Sequence, residues 1–178
     1  PRLPPGQVRT EKWPVLHYGS VPEADLARWD LRVFGEVDRP QRWTWDEFQA
    51  LPRVRVHSDI HCVTRWSRFD NVWEGVAIRE VLRLAGVKPA AAYVVAHAEQ
   101  GFTANLPLEE LNQDDVLLAT RHDGEDLTPE HGWPLRLVVP RRYFWKSAKW
   151  IRGIELGAAD RPGFWERTGY HNDANPCK

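Results

Sequence analysis

Apolar residues recur along this chain in short runs with two different periods. Trp29–Val37 alternates, with Leu31 and Val33 on one side and Gly35 near its end, and predicts a strand. Thr44-Trp45-Asp46-Glu47 has the form of a capping box and opens a short helix, Trp45–Ala50, that stops before Pro52. Val54–His57 reads as a strand leading towards Cys62. Ile78–Leu84 has helical spacing and is ended by Gly86 and Pro89. Further strands are predicted at Tyr93–Ala98, Val116–Thr120, Leu135–Val139 and Trp150–Leu156, with a short helix or turn at Leu108–Leu111. Asp123-Gly124 predicts a tight turn. Residues 1–22 hold five prolines and predict an extended arm that wraps the rest. After Asp160 the chain carries turn residues and few apolar ones. Strands and short helices mixed without strict alternation argue an α+β class, and no glycine-rich phosphate loop of dinucleotide type is present.

The chain has 178 residues, enough for one domain over 1–178 with a sizeable core. A net charge of −1 gives no general attraction to nucleic acid or a membrane surface, and no apolar run approaches a transmembrane length. With no export pattern at the start, a cytoplasmic location is expected. Two distant cysteines make no disulfide framework, which fits a reducing compartment.

Local charge changes the picture. Residues 131–154 carry Arg136, Arg141, Arg142, Lys146, Lys149 and Arg152 and no acid, interleaved with aromatic and strand-forming residues. A salt-bridged surface is the plain reading of such a segment. A cleft for a small anionic ligand is the sharper one, since arginine suits bidentate phosphate contact and lysine acts as a point charge. One short patch on a near-neutral chain is a weak footprint for nucleic acid. Cys62, in His61-Cys62-Val63-Thr64-Arg65-Trp66-Ser67, is a lone thiol among His57, Asp59, His61, Arg65 and Arg68. Such a thiol is a small buried hydrophobe, a nucleophile with His57 or His61 as base, or a soft metal ligand. His57 and His61 followed by Cys62 leave a zinc site open as well.

Four ordered blocks carry a resemblance that spans nearly the whole chain. They are LRVFGEVDRPQRWTWDEFQALP, HCVTRWSRFDNVWEGVAIREVL, DDVLLATRHDGEDLTPEHGWPLRLVVP and KSAKWIRGIEL. Together they resemble the molybdenum-cofactor domain of the sulfite oxidase family, which includes bacterial methionine sulfoxide reductase catalytic subunits. The resemblance implies mixed sheets around a barrel-like core with short helices. It implies a molybdenum–molybdopterin cofactor with one pterin per metal, Cys62 as the metal's protein ligand, and oxygen-atom transfer on a small, sulfur-containing or anionic substrate. His131, Arg136, Ser147, Ala148 and Lys149 match the family's pterin contacts. Ala98 matches a further contact, and His17 and Tyr18 a contact stretch in the arm. Trp66 matches an aromatic residue of the sulfoxide reductase branch. Arg65 and Trp66 are thereby candidates beside the reacting centre, with His61 and Tyr143 as neighbours. Leu16 stands where animal and plant sulfite oxidases have a substrate-binding arginine, and Arg65 or Arg68 is a candidate to restore an anion site. No haem or dimerisation domain is expected in the chain. An electron donor or acceptor protein is the expected partner. The rival readings are a non-catalytic module holding an anionic ligand on the same fold, and a cysteine- or zinc-dependent hydrolase.

Overall fold

A computed structural model describes residues 2–16 and 19–177. His17 and Tyr18 lie outside the described residues. The backbone forms two mixed sheets joined by short helices.

The first sheet is organised by β5, Trp66–Ala77. It pairs antiparallel with β4, Val54–His61, on one side, and with β8, Leu117–His122, on the other. β8 in turn pairs with β10, Arg136–Val138, and forms a hairpin with β9, Glu125–Asp126. The predicted Asp123-Gly124 turn closes that hairpin, with φ of 49° and 82° at its two centres. β1, Val8–Arg9 of the arm, adds parallel to the start of β5, opposite Trp66 and Ser67.

The second sheet runs in the order β3 (Gln41–Thr44), β2 (Asp30–Gly35), β11 (Ile151–Gly157), β6 (Tyr93–Ala98), β7 (Thr103–Pro107). β2 and β11 are parallel and the other pairs antiparallel. Among the described residues both sheets stay open and neither closes into a barrel. The helices are α1 (Trp45–Gln49), α2 (Ile78–Ala85), α3 (Leu108–Leu111) and α4 (Phe164–Arg167). α1 has the reciprocal Thr44–Glu47 capping box that the sequence predicts. α2 ends at Gly86, which takes φ 69°. No described helix is long and apolar enough to cross a membrane.

The first sheet is buried on both faces. Val76, Leu118 and Leu137 point into one cluster shared with Leu31, Val33, Val94, Ile154 and Leu156 of the second sheet. Trp73, Leu117, Ala119 and Val138 point the other way, under Trp13 of the arm, Trp66 and Phe144. This explains the unbroken apolar run of β8, since a strand covered on both faces needs no polar side. It also directs Arg136. Two positions before Val138 on β10, its side chain leaves on the aromatic face.

β5 is the element that sequence pattern misses, because Arg68, Asp70, Asn71 and Glu74 break its alternation. Asn71 is wholly buried there, and its amide donates to the carbonyls of Ser58 and Arg68. Its carbonyl oxygen lies 2.9 Å from His122 Nε2. Gly75 lets β5 and β8 close on each other, because a Cβ there would sit 2.0 Å from the Leu118 carbonyl oxygen. Gly75→Ala should therefore cost about 2 kcal/mol or more of stability, read as a lower urea midpoint.

Candidate cofactor site

Cys62 stands at the entrance of a three-residue hairpin loop between β4 and β5. Its N–H donates to the Trp66 carbonyl at 2.9 Å, and Arg65 N–H donates back to the Cys62 carbonyl at 3.0 Å. Arg65 closes the loop with φ 69°, the left-handed turn that such loops require. The arm clamps this tip. Gln7 Nε2 donates to the Cys62 carbonyl, Ser67 Oγ donates to Gln7 Oε1, and Val8 N–H donates to the Arg65 carbonyl. The thiol is 7% exposed, and its Sγ lies 3.0 Å from the Thr64 hydroxyl. His61 Nδ1 is engaged by Ser67 Oγ at 2.7 Å.

The thiol faces a cavity of about 300 Å³ that also receives His131, Arg136, Ser147, Ala148 and Lys149. Gly132, at φ 112°, brings these groups together. A Cβ on it would come within 3.0 Å of Arg136 Cβ and 3.2 Å of Lys149 Cβ. Arg136 is 2% exposed, and its two terminal nitrogens donate to the carbonyls of His131 (2.8 Å) and Ser147 (2.7 Å). Its Nε is buried without a partner. Phe144 lies under the guanidinium at 4.2 Å, with Trp13 and Trp73 somewhat further off. Lys149 Nζ donates to the carbonyls of Leu16 and Glu130. Among the described residues neither cation has a carboxylate within ion-pair distance, in contrast to Arg142 with Glu110, Arg141 with Asp115 and Arg152 with Asp30. Burial, helped by Arg136, lowers Lys149 to about 7. His131 stacks on Trp13 at 3.6 Å and donates from Nε2 to the Trp13 carbonyl. Burial first, and Arg136 second, lower it to about 4. The cavity thus holds positive charge that the protein leaves uncompensated.

A second wall of the cavity carries no charge, and its Trp165 and Tyr170 come from the tail after Asp160, whose sequence carries little pattern. Trp145, Phe102, Trp165 and Tyr170 line it. Trp165 stacks on Tyr170 at 5.4 Å, Trp145 meets Tyr170 at 4.9 Å and Phe102 lies over Trp165 at 6.4 Å. Lys146, counted in the sequence with the cationic segment, turns away from the cavity. It pairs with Glu166 at 2.5 Å, with side-chain exposures of 1% and 4%, and donates to Asn105 Oδ1 and the Asn105 carbonyl. Glu166 Oε1 also accepts from Trp145 Nε1. This buried pair fixes α4, and with it the wall.

Of the residues singled out in the sequence, Cys62, Trp66, His131, Arg136, Ser147, Ala148 and Lys149 line one cavity. Trp66 Nε1 is buried there without a partner. Arg65 is exposed and Ala98 packs against the main core, and neither lines the cavity. Arg68 is held by Asp123, Asn71 and the Glu11 carbonyl. Among the described residues no three of His, Cys, Asp and Glu gather as a metal-ligand group, so a zinc reading of His57, His61 and Cys62 lacks its ligand set. Trp13, Phe144 and the wall were missed. The aromatic run Tyr143-Phe144-Trp145 is a sequence signal for Phe144 and Trp145 alone, and Trp13, Phe102, Trp165 and Tyr170 have only the chain's high tryptophan and aromatic content.

An uncompensated cationic cleft beside a buried thiol is what a cofactor with an anionic tail and a soft metal would occupy. The chain belongs to the oxidoreductase molybdopterin binding domain family, whose pattern matches residues 18–165. It is 52% identical to "Uncharacterized oxidoreductase YuiH" of Bacillus subtilis, over 98% of this chain and 89% of that protein. It is 31% identical to "Putative protein-methionine-sulfoxide reductase subunit YedZ1" of Azospira oryzae, over 87% of this chain and 60% of that protein. The fold matches the sulfane dehydrogenase SoxCD from Paracoccus pantotrophus with a TM-score of 0.74 at 25% identity, covering 81% of this chain and 42% of that one.

His131 holds its proton less tightly here than in the unfolded chain, and burial lowers His122 in the same direction. Between about pH 6.5 and 4 the unfolded chain therefore binds more protons, and stability falls as pH drops through that window. Urea midpoints should decline across it, and His131→Gln should make the decline shallower. Glu166→Gln leaves Lys146 charged and buried without its partner. It should cost about 3 kcal/mol and speed amide exchange in residues 163–170.

Proposed function

We propose that this protein is a molybdenum-cofactor oxidoreductase that moves an oxygen atom to or from a small substrate, with the metal held by the Cys62 thiolate. The observation that carries the reading is the pairing of one buried thiol with His131, Arg136 and Lys149 in a single cavity, where Arg136 and Lys149 have no carboxylate partner among the described residues. A molybdenum–pterin group bound there supplies a two-electron redox change and a site for the transferred oxygen. The chain supplies the rest. Arg136 and Lys149 attract and orient the cofactor's anionic part, and an anion between them offsets the cost of burying their charge. His131, neutral at physiological pH, holds Trp13 across that end of the site. The Thr64 hydroxyl is placed to donate to the Cys62 thiolate and steady it. Trp66 lends its ring to the cavity wall beside Cys62 and would border a metal held there. Reducing an oxidised substrate takes two electrons and two protons and releases water, and the reverse reaction returns them. A partner protein would carry the electrons. The likeness to a putative methionine sulfoxide reductase subunit supports oxygen-atom chemistry at sulfur.

A non-catalytic binder would use the same cations but has no need of Cys62 at the cavity wall. A cysteine–histidine hydrolase finds little support, because the thiol lies by Thr64 while the nearest-in-sequence imidazole, His61, is turned to Ser67.

Protein made in a host that synthesises the cofactor should carry molybdenum and pterin in about equal amounts, measured by metal analysis and pterin fluorescence. Cys62→Ser should abolish turnover and disturb the metal's X-ray absorption signature of sulfur ligation. Arg136→Met should lower pterin content. Zinc in place of molybdenum in the purified protein would overturn the assignment.

A further inference from the structure

The cavity has two aromatic groups that differ in charge. Trp13, Trp66 and Phe144, with Trp73 packed behind them, form the first group and carry Arg136 and His131 among them. Phe102, Trp145, Trp165 and Tyr170 form the second group, and among the described residues the charged groups that line the cavity are Arg136, Lys149 and His131, whose ring contacts are with other aromatics. The charged groups nearby are disposed of otherwise. Lys146 is sealed beneath the wall by Glu166, Arg142 pairs with Glu110, and Arg167 is exposed and donates to the Gly163 carbonyl. Arg65 and Arg68, the sequence's candidates for an anion site, do not reach the cavity. Val63, Thr64 and Thr103 complete the neutral side. Phe102, Trp145 and Trp165 lie within the residues the family pattern matches, and Glu166 and Tyr170 lie just past its end.

A small oxyanion in a partly buried site needs charged donors around it, since losing water without replacement costs several kcal/mol. Four packed aromatic rings offer an apolar or aromatic group a large contact area instead. We propose that Phe102, Trp145, Trp165 and Tyr170 form the substrate-selecting wall, and that they select an uncharged S- or N-oxide, or its reduced form, bearing an apolar and preferably aromatic substituent. Lys146 and Glu166 are positioning residues that hold Trp145 and α4 in place. The chemistry of this substrate rests on the molybdenum reading. Its recognition by the wall does not, so the two are tested apart.

Tryptophan fluorescence follows binding without turnover. Titration with methyl phenyl sulfoxide should quench Trp145 and Trp165 with at least about tenfold tighter binding than dimethyl sulfoxide, the contribution expected of one good aromatic contact. Sulfite and nitrate should not compete. In molybdenum-loaded enzyme driven by reduced viologen dye, the kcat/KM ratio of methyl phenyl to dimethyl sulfoxide should show the same preference. Trp165→Leu and Tyr170→Leu should each collapse that ratio while molybdenum and pterin contents stay at the wild-type level, and Tyr170→Phe should keep it. Equal binding of the two sulfoxides, or competition by sulfite or nitrate, overturns the proposal. So does loss of pterin in Trp165→Leu, which would make the wall part of the cofactor site. Aryl binding that persists in protein lacking molybdenum would uphold the wall, whereas zinc in place of molybdenum in protein from a cofactor-making host would overturn the molybdenum reading alone.

Discussion

A guanidinium buried without a counter-charge is the constraint around which this structure is arranged. Arg136 has left water almost completely, and among the described residues no carboxylate pairs with it. Carbonyl oxygens of His131 and Ser147 take two of its donor groups, and Phe144, Trp13 and Trp73 present their ring faces. These contacts moderate the burial cost, but a full ion pair would do so better. Much nearby geometry exists to make them. Gly132 turns the His131 carbonyl inwards, β10 aims the side chain at the aromatic face, and the arm brings Trp13 across. A protein that keeps such a cation unpaired holds a site suited to an anion from outside.

The cationic end of the site was legible in the sequence because its residues are close along the chain. His131, Arg136, Ser147 and Lys149 fall within one acid-free segment, and β10 and the loop after it fold that segment on itself. Cys62 stood out as a lone thiol, yet its place at a hairpin tip did not, because the strand after it, β5, was hidden by polar residues. Those residues are not solvent-facing in the usual way. Asn71 is buried in a network with Arg68, His122 and the Ser58 carbonyl, which no two-residue period reveals. Arm strand β1 and edge strands β3 and β7 were unread for a simpler reason: two to five residues give too little pattern.

Lys146 shows the limit of reading charge from composition. In sequence it belongs with Arg136 and Lys149 as one basic run. In space its direction is set by the short 3₁₀ turn Phe144–Lys146, which points it into the protein towards Glu166. A residue that reads as part of an anion site is instead a pin for the aromatic side of the same cavity. The tail after Asp160, which shows few apolar positions, contributes its aromatic rings to that cavity and almost nothing to the main core.

The arm strand β1 pairs with β5 beside Cys62, while Gln7 holds the cysteine's carbonyl. The arm precedes its pairing partner by some sixty residues, so β1 has nothing to pair with until β5 has been made. The thiol's surroundings are thus completed by arm residues returning to a hairpin synthesised later. A cut within the arm, or a substitution that displaces Gln7, would reach the cysteine's chemistry without touching the cysteine.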